Sequence, residues 1–346
     1  MTTVYLATED RVLRVDDSGR SNADDTGSGR AQVVSTSLEA GRLQCLAYAD
    51  GTVYVGTFDD GCLRATDAAG TSFEDSAFDR LDVGGGDPVT ALSVSPHDSS
   101  TIYAGTEPSR LYRSTDGGDT WTHLDGITNL PSEPEWFFPP RPETHHVRWI
   151  CVDPFDPDRL YVGIEAGAFV LSTDGGDTWR GRPEGSRRDN HSLETHADRE
   201  GLVYAAAGDG FARSIDGGET WHHPQVGLDH RYCWSIVADP SDPGRVLVSS
   251  ASGASSAHRP PSADAHVYRL DGESAWERLD DRGLPTGDGV VRSVFATGRT
   301  AGVVYGANNR GLYRSDDFGD SWERLAIEWD DALERQVPRG MVVAET

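Results

Sequence analysis

The chain of 346 residues contains no lysine; all 31 of its basic side chains are arginine, set against 57 Asp and Glu, for a net charge of −26. That balance argues against nucleic acid or an anionic membrane as principal partner, because phosphate binding needs a basic face. Cysteine is scarce. Cys45, Cys62, Cys151 and Cys233 show no C-x-x-C spacing, which predicts buried reduced thiols rather than a disulfide framework or a zinc site. No run approaches 18 apolar residues, and the first residues, Met1-Thr2-Thr3-Val4-Tyr5, form neither a basic nor an apolar leader, so a soluble, cytoplasmic protein is expected. Helical amphipathic periodicity is missing too.

What recurs is a short polar segment. Arg113-Ser114-Thr115-Asp116-Gly117-Gly118-Asp119-Thr120-Trp121 returns at 171–179, at 213–221 and, with Asp-Phe-Gly replacing Asp-Gly-Gly, at 314–322. Asp116 can accept hydrogen bonds from the N–H groups of its own turn, Gly118 tolerates positive φ, and the hydroxyls satisfy what remains. Trp121 is then free to wedge between neighbouring sheets. The segment therefore reads as a hairpin clasp rather than a cation or sugar site.

Aligned on that aspartate, the chain divides into seven units anchored at Asp17, Asp67, Asp116, Asp174, Asp216, Asp271 and Asp317. The units at Asp17, Asp67 and Asp271 are degenerate: Gly19 and Ser21 follow without a Trp, Phe73 stands in for one, and Trp276 alone keeps the spacing. Ahead of each anchor lies an apolar strand ending in Tyr-x-Gly or a relative, such as Val53-Tyr54-Val55-Gly56. Four short strands per unit, separated by Gly, Asp and Pro turns, predict an all-β fold: a seven-bladed β-propeller with four antiparallel strands per blade, one domain over 1–346. The first unit starts at its second strand, and Val337-Pro338-Arg339-Gly340-Met341-Val342 looks like the missing innermost one. The C-terminal strand is thus expected to join blade one and close the ring, removing two sheet edges.

Matching the innermost strands by their apolar alternation places Gln44, Thr90, Arg148, His191, Trp234, Arg292 and Arg339 in one column around the mouth of the channel. Three Arg and a His near one axis repel unless carboxylates or an anion neutralise them, and guanidinium forks suit carboxylate or phosphate. The column thus predicts a site for a small anionic molecule or an acidic peptide, unless local carboxylates consume it. Glu9, Glu107, Glu165 and Asn308 follow second strands on the same face and are the candidate partners; Tyr232 lies close by. Glu165 and His146 are the candidate acid/base pair. His146, His191 and Glu165 could also hold a divalent metal, although no His-x-x-x-His spacing enforces ligation, and no other cofactor is indicated. Two insertions, 128–145 and 252–266, land on this face. The first carries Trp136-Phe137-Phe138, expected to act as a lid or to cover the edge of blade four; the second, rich in Ser, Ala and Pro, is expected to be mobile.

The pattern Ser-x-Asp-x-Gly-x-Thr-Trp resembles the Asp-box, or BNR repeat, of β-propeller sialidases, xyloglucanases, sortilin-type receptors and the photosystem II assembly factor. The acidic, lysine-free composition is similar to that of salt-accumulating archaea. Four full boxes imply the fold, but these families share no single function. A sialidase would bring six blades, an Arg-Ile-Pro-type segment and a Tyr/Glu nucleophile pair, which have no counterpart here. Xyloglucanases use two propellers and paired Asp residues across a cleft, whereas this sequence supplies one propeller and no acid pair at the mouth. Resemblance to the assembly factor and to sortilin implies a scaffold whose Arg-bearing face receives an acidic or carboxy-terminal peptide. The expectation is anion binding at the Arg/His rim, with hydrolase or lyase chemistry as an extension and a scaffold or glycoside hydrolase as the alternatives.

Overall fold

Period-two alternation of apolar residues folds the chain into seven antiparallel sheets in the computed structural model, which describes residues 2–17, 35–39, 41–66 and 78–345. Seven innermost strands, Gly340–Glu345, Leu43–Ala49, Val89–Val94, Val147–Val152, Asn190–Thr195, Tyr232–Asp239 and Val294–Thr297, each touch the next, and the last touches the first. This is the expected seven-bladed propeller. Gly340–Glu345 pairs antiparallel with Thr2–Ala7, so the two ends of the chain share blade one. Blade five has three strands plus a bridge from Arg213 to His222, and blade six gains the short strand Gly287–Asp288. The turn anchored at Asp67 and the residues Gly19, Ser21 and Phe73 lie outside the described residues.

The four full boxes fold alike. Ser114 Oγ donates to Asp116 Oδ1 (2.8 Å) and accepts from the Gly118 N–H (2.8 Å), while Asp116 also accepts from the Thr120 N–H (2.9 Å) and hydroxyl (2.6 Å). Ser172-Asp174, Ser214-Asp216 and Ser315-Asp317 repeat the pattern. In the fourth box Phe318 takes the first positive φ, 52°, that glycine holds elsewhere, with its ring fully buried. The box is also an inter-blade clasp. An arginine of the preceding blade caps a carbonyl of each turn: Arg64 on Gly117 (3.0 Å), Arg113 on Gly175 (3.4 Å), Arg159 on Gly217 (3.0 Å) and Arg269 on Phe318 (3.3 Å). Four of the 31 arginines are used in this way.

Tyr-x-Gly has a packing reason as well. The tyrosines Tyr54, Tyr103 and Tyr161 are buried in the walls between blades. The glycines give the next blade room: a Cβ on Gly56 would lie 2.6 Å from the Val89 carbonyl oxygen, and one on Gly105 would lie 2.4 Å from Val147 Cγ1. All four cysteines are free thiols, and burial pushes those of Cys45 and Cys233 up to about 12. Among the described residues, no helix is long and apolar enough to cross a membrane.

Candidate functional site

The predicted column coincides with a repeated defect. Between Leu43 and Cys45, Val89 and Ala91, Val147 and Trp149, Asn190 and Ser192, and Cys233 and Ile236, the ladder to the second strand shifts register. The skipped residues include Gln44, Thr90, Arg148, His191 and Trp234. A bulge frees its residue from pairing and re-aims the side chain, so in these five blades the column residues are released from the ladder.

Around Trp234 the rim becomes a buried cationic and aromatic cluster. The Arg292 guanidinium lies 4.1 Å from the centre of the Trp234 ring system and that of Arg148 4.8 Å from it. His191 packs on the same ring at 4.3 Å, and Tyr232 lies against His191 at 4.8 Å. Arg292 is fully buried and, among the described residues, has no carboxylate partner. Its Nη1 donates to the Pro338 carbonyl (2.7 Å), its Nε to His258 Nδ1 (3.3 Å), and its Nη2 meets no acceptor among the described residues. Burial, with the charges of Arg339 and Arg148, pulls its pKa well below that of a solvated guanidinium. The three guanidiniums therefore do converge.

The candidate carboxylates take only part of this charge. Glu9 accepts from Arg339 Nη2 at 2.7 Å, and Glu165 Oε2 lies 3.6 Å from Arg148 Nε and 3.0 Å from His146 Nε2. Burial opposes ionisation of Glu165, but the His146 hydrogen bond and the His146, His191 and Arg148 charges hold it well below the usual carboxylate range. Glu107 pairs bidentately with Arg141 of the first insertion (2.8 and 2.6 Å), and its Oε2 lies 3.6 Å from His146 Nδ1. Asp189, which sequence reasoning missed, lies beside His191, with Oδ1 3.7 Å from Nε2; burial, reinforced by Glu165, raises its pKa although His191 opposes the shift.

Four expected members sit elsewhere or differently. Strand pairing puts Asn309, not Asn308, at the position of Glu107 and Glu165; Asn308 is spent on the Pro285 carbonyl (3.1 Å) and the Arg310 N–H (2.8 Å). Trp136 is not over the mouth but buried in the apolar cluster of blades three and four, donating to Ser132. Its apolar ring gains more there than it would over a charged rim. Gln44 and Thr90 belong to the column but not to the cluster: the Gln44 amide donates to the Arg42 carbonyl (3.4 Å), and the Thr90 hydroxyl to Val147 (2.6 Å).

Insertion 252–266 contains a short helix, Ala254–His258, whose last residue docks edge-on against Trp234 at 4.4 Å. Burial and Arg292 lower the His258 pKa to about 2. Arginine can only donate, so Nδ1 of the neutral ring accepts and its Nε2–H donates to the Tyr232 hydroxyl (3.2 Å). Below the rim a cavity of about 310 Å³ is lined by Arg148, Arg339, Tyr48, Leu92, Met341 and Glu194. Burial pushes the Glu194 carboxyl up to about 8, against a hydrogen bond from the Ala238 backbone. Nothing in the sequence marked Glu194 beyond its place in an innermost strand.

No protein-family profile matches the chain. By sequence it is similar to the xyloglucanase Xgh74A of Acetivibrio thermocellus, 26% identical over 56% of this chain and 25% of that protein. It also resembles the photosystem II assembly lipoprotein Ycf48 of Synechococcus sp. (strain CC9902), 23% identical over 75% of this chain and 68% of that one. The match thus spans about a quarter of the xyloglucanase. Among solved structures, an ancestral GH74 enzyme superposes with a TM-score of 0.63 at 16% identity, covering 84% of this chain and 39% of that one. Ycf48 bound to a D1 peptide gives 0.55 at 15% identity, covering 85% and 83%. At such identities the structural likeness establishes the fold, and both enzymes and a peptide-binding assembly factor carry it.

Proposed function

We propose that the rim binds a carboxylate-bearing ligand, held by Arg292, Arg148 and Arg339 and shaped by Trp234, His191, Tyr232 and His258. The observation that carries this reading is Arg292: a buried guanidinium that, among the described residues, has one unpartnered nitrogen and no carboxylate in salt-bridge contact. Burying an unneutralised cation costs several kcal/mol, of order 2–5, unless something supplies the missing charge. A small molecule or the terminal carboxylate of an acidic peptide does so. The peptide form is favoured by the likeness to Ycf48, solved with a D1 peptide. The hydrolase form has less support, because Glu165 and His146 are already engaged with each other at 3.0 Å. The acidic surface suits a salt-rich cytoplasm.

The experiment is a calorimetric titration with a peptide ending in a free carboxylate, beside its C-terminal amide. The acid should bind and the amide at least tenfold more weakly, and Arg339→Ala should weaken the acid selectively. Equal affinity for acid and amide would refute carboxylate recognition at the rim.

A further inference from the structure

Beside the rim, Glu165, Asp189 and His191 bring three potential ligand atoms together. His191, with its side chain fully buried, donates its Nδ1–H to the Cys233 carbonyl at 2.6 Å. A carbonyl can only accept, so the proton sits on Nδ1 and the ring orientation is fixed. The other nitrogen, Nε2, has no hydrogen-bond partner among the described residues; it lies 3.7 Å from Asp189 Oδ1 and 3.9 Å from Glu165 Oε1. These three atoms all lie within 4.8 Å of one another.

The surroundings arrange these groups as ligands. His146 and Arg148 occupy Oε2 of Glu165 and leave Oε1 turned inward. Asp189 Oδ1 is steadied by the Ala166 N–H at 2.7 Å. Gly208 makes the space: a Cβ there would lie 2.9 Å from the Asp189 carboxyl carbon and 3.1 Å from His191 Cε1. We propose that Glu165, Asp189 and His191 form a site for one first-row divalent cation, with bonds from two carboxylate oxygens and one imidazole nitrogen. Metal bonds of about 2.1 Å place neighbouring ligand atoms roughly 3.0–4.2 Å apart, the range of the two distances to Nε2. An imidazole whose distal N–H is fixed by a carbonyl is the usual outer support of such a ligand. A second grouping, His230, Asp264 and His266, lacks this character, because Arg278 Nη2 sits 2.9 Å from His266 Nδ1 and 3.2 Å from its Nε2. The inference goes beyond carboxylate binding at the rim and does not depend on it.

The test is titration of the EDTA-treated chain with ZnCl2 and MnCl2, with MgCl2 as the hard-cation comparison. One site is expected, filled by Zn²⁺ or Mn²⁺ and not by Mg²⁺, and carboxylate binding by the metal-free chain is measured separately. Asp189→Asn should abolish the heat, Gly208→Ala should weaken it by about ten- to a hundredfold, and His266→Ala should leave it unchanged. Crystals soaked in Zn²⁺ test the unaltered protein directly, by an anomalous peak between Glu165, Asp189 and His191. The opposite result, a proton on Nε2 in place of a metal, would appear as no heat at millimolar Zn²⁺ or a peak elsewhere. Either outcome overturns the proposal.

Discussion

Arg292 stacks on Trp234 at 4.1 Å, bonds His258 and the Pro338 carbonyl, and pairs with no carboxylate among the described residues. A cation stacked on indole recovers part of its lost hydration, about 2 kcal/mol when desolvated, but an unfilled guanidinium nitrogen remains a cost. Arg292→Met should therefore leave the free protein as stable as before or raise its unfolding free energy by about 1–2 kcal/mol. Carboxylate binding should fall at least tenfold in the same variant. Urea melts and calorimetry check the two halves separately. A stability loss with ligand affinity retained would place the charge in a structural role.

Gly105 is where blade four closes on blade three. Gly105→Ala would put its Cβ 2.4 Å from Val147 Cγ1 and 2.6 Å from Val147 Cβ. The strain should cost about 1–3 kcal/mol in chemical denaturation. Pairing the substitution with Val147→Ala should recover part of that loss.

Arg269 links three carboxylates and a box carbonyl: Asp271 at 3.0 Å, Glu277 at 3.1 Å, Asp320 at 2.9 Å and Phe318 O at 3.3 Å. Those carboxylates are half-exposed, so water can rescue them in part. Arg269→Ala is expected to lower the unfolding free energy by about 2 kcal/mol, with protease cleavage appearing first in blades six and seven. Arg269→Lys should recover less than half, since a point charge cannot span four acceptors.

Glu194 predicts a pH dependence. Its folded pKa of about 8 lies above that of an exposed carboxyl, so the fold favours the protonated form. The stability this group contributes is present below about pH 4.3 and is lost as pH rises through 8. Glu194→Gln should raise the melting temperature at pH 9 by several degrees and change it little at pH 4.5. Equal effects at both pH values would mean that the carboxyl does not titrate in this window.

The architecture was legible because its signals are local. Ser114, Asp116, Gly118 and Thr120 satisfy one another within a single turn, and the Tyr-x-Gly strands mark the blade period. The rim column was legible through strand alternation, although the bulges that present it left no trace of their own. Asp189 and His258 were not legible. Asp189 stands in Arg187-Arg188-Asp189-Asn190, which reads as a solvated turn, and His258 lies within a Ser/Ala-rich insertion, where its contacts with Trp234, Tyr232 and Arg292 come from distant parts of the chain. A one-residue slip at a strand end hid Asn309 behind Asn308, and apolar burial drew Trp136 away from the mouth.

The bulged heads of the innermost strands have an evolutionary consequence. At Gln44, Arg148 and His191 the side chain is excused from the ladder that builds its blade, so these positions are under little obligation to β-propensity or core volume. Such a rim could exchange its chemistry residue by residue while the wheel beneath it went on folding unchanged, letting one scaffold acquire unrelated ligands.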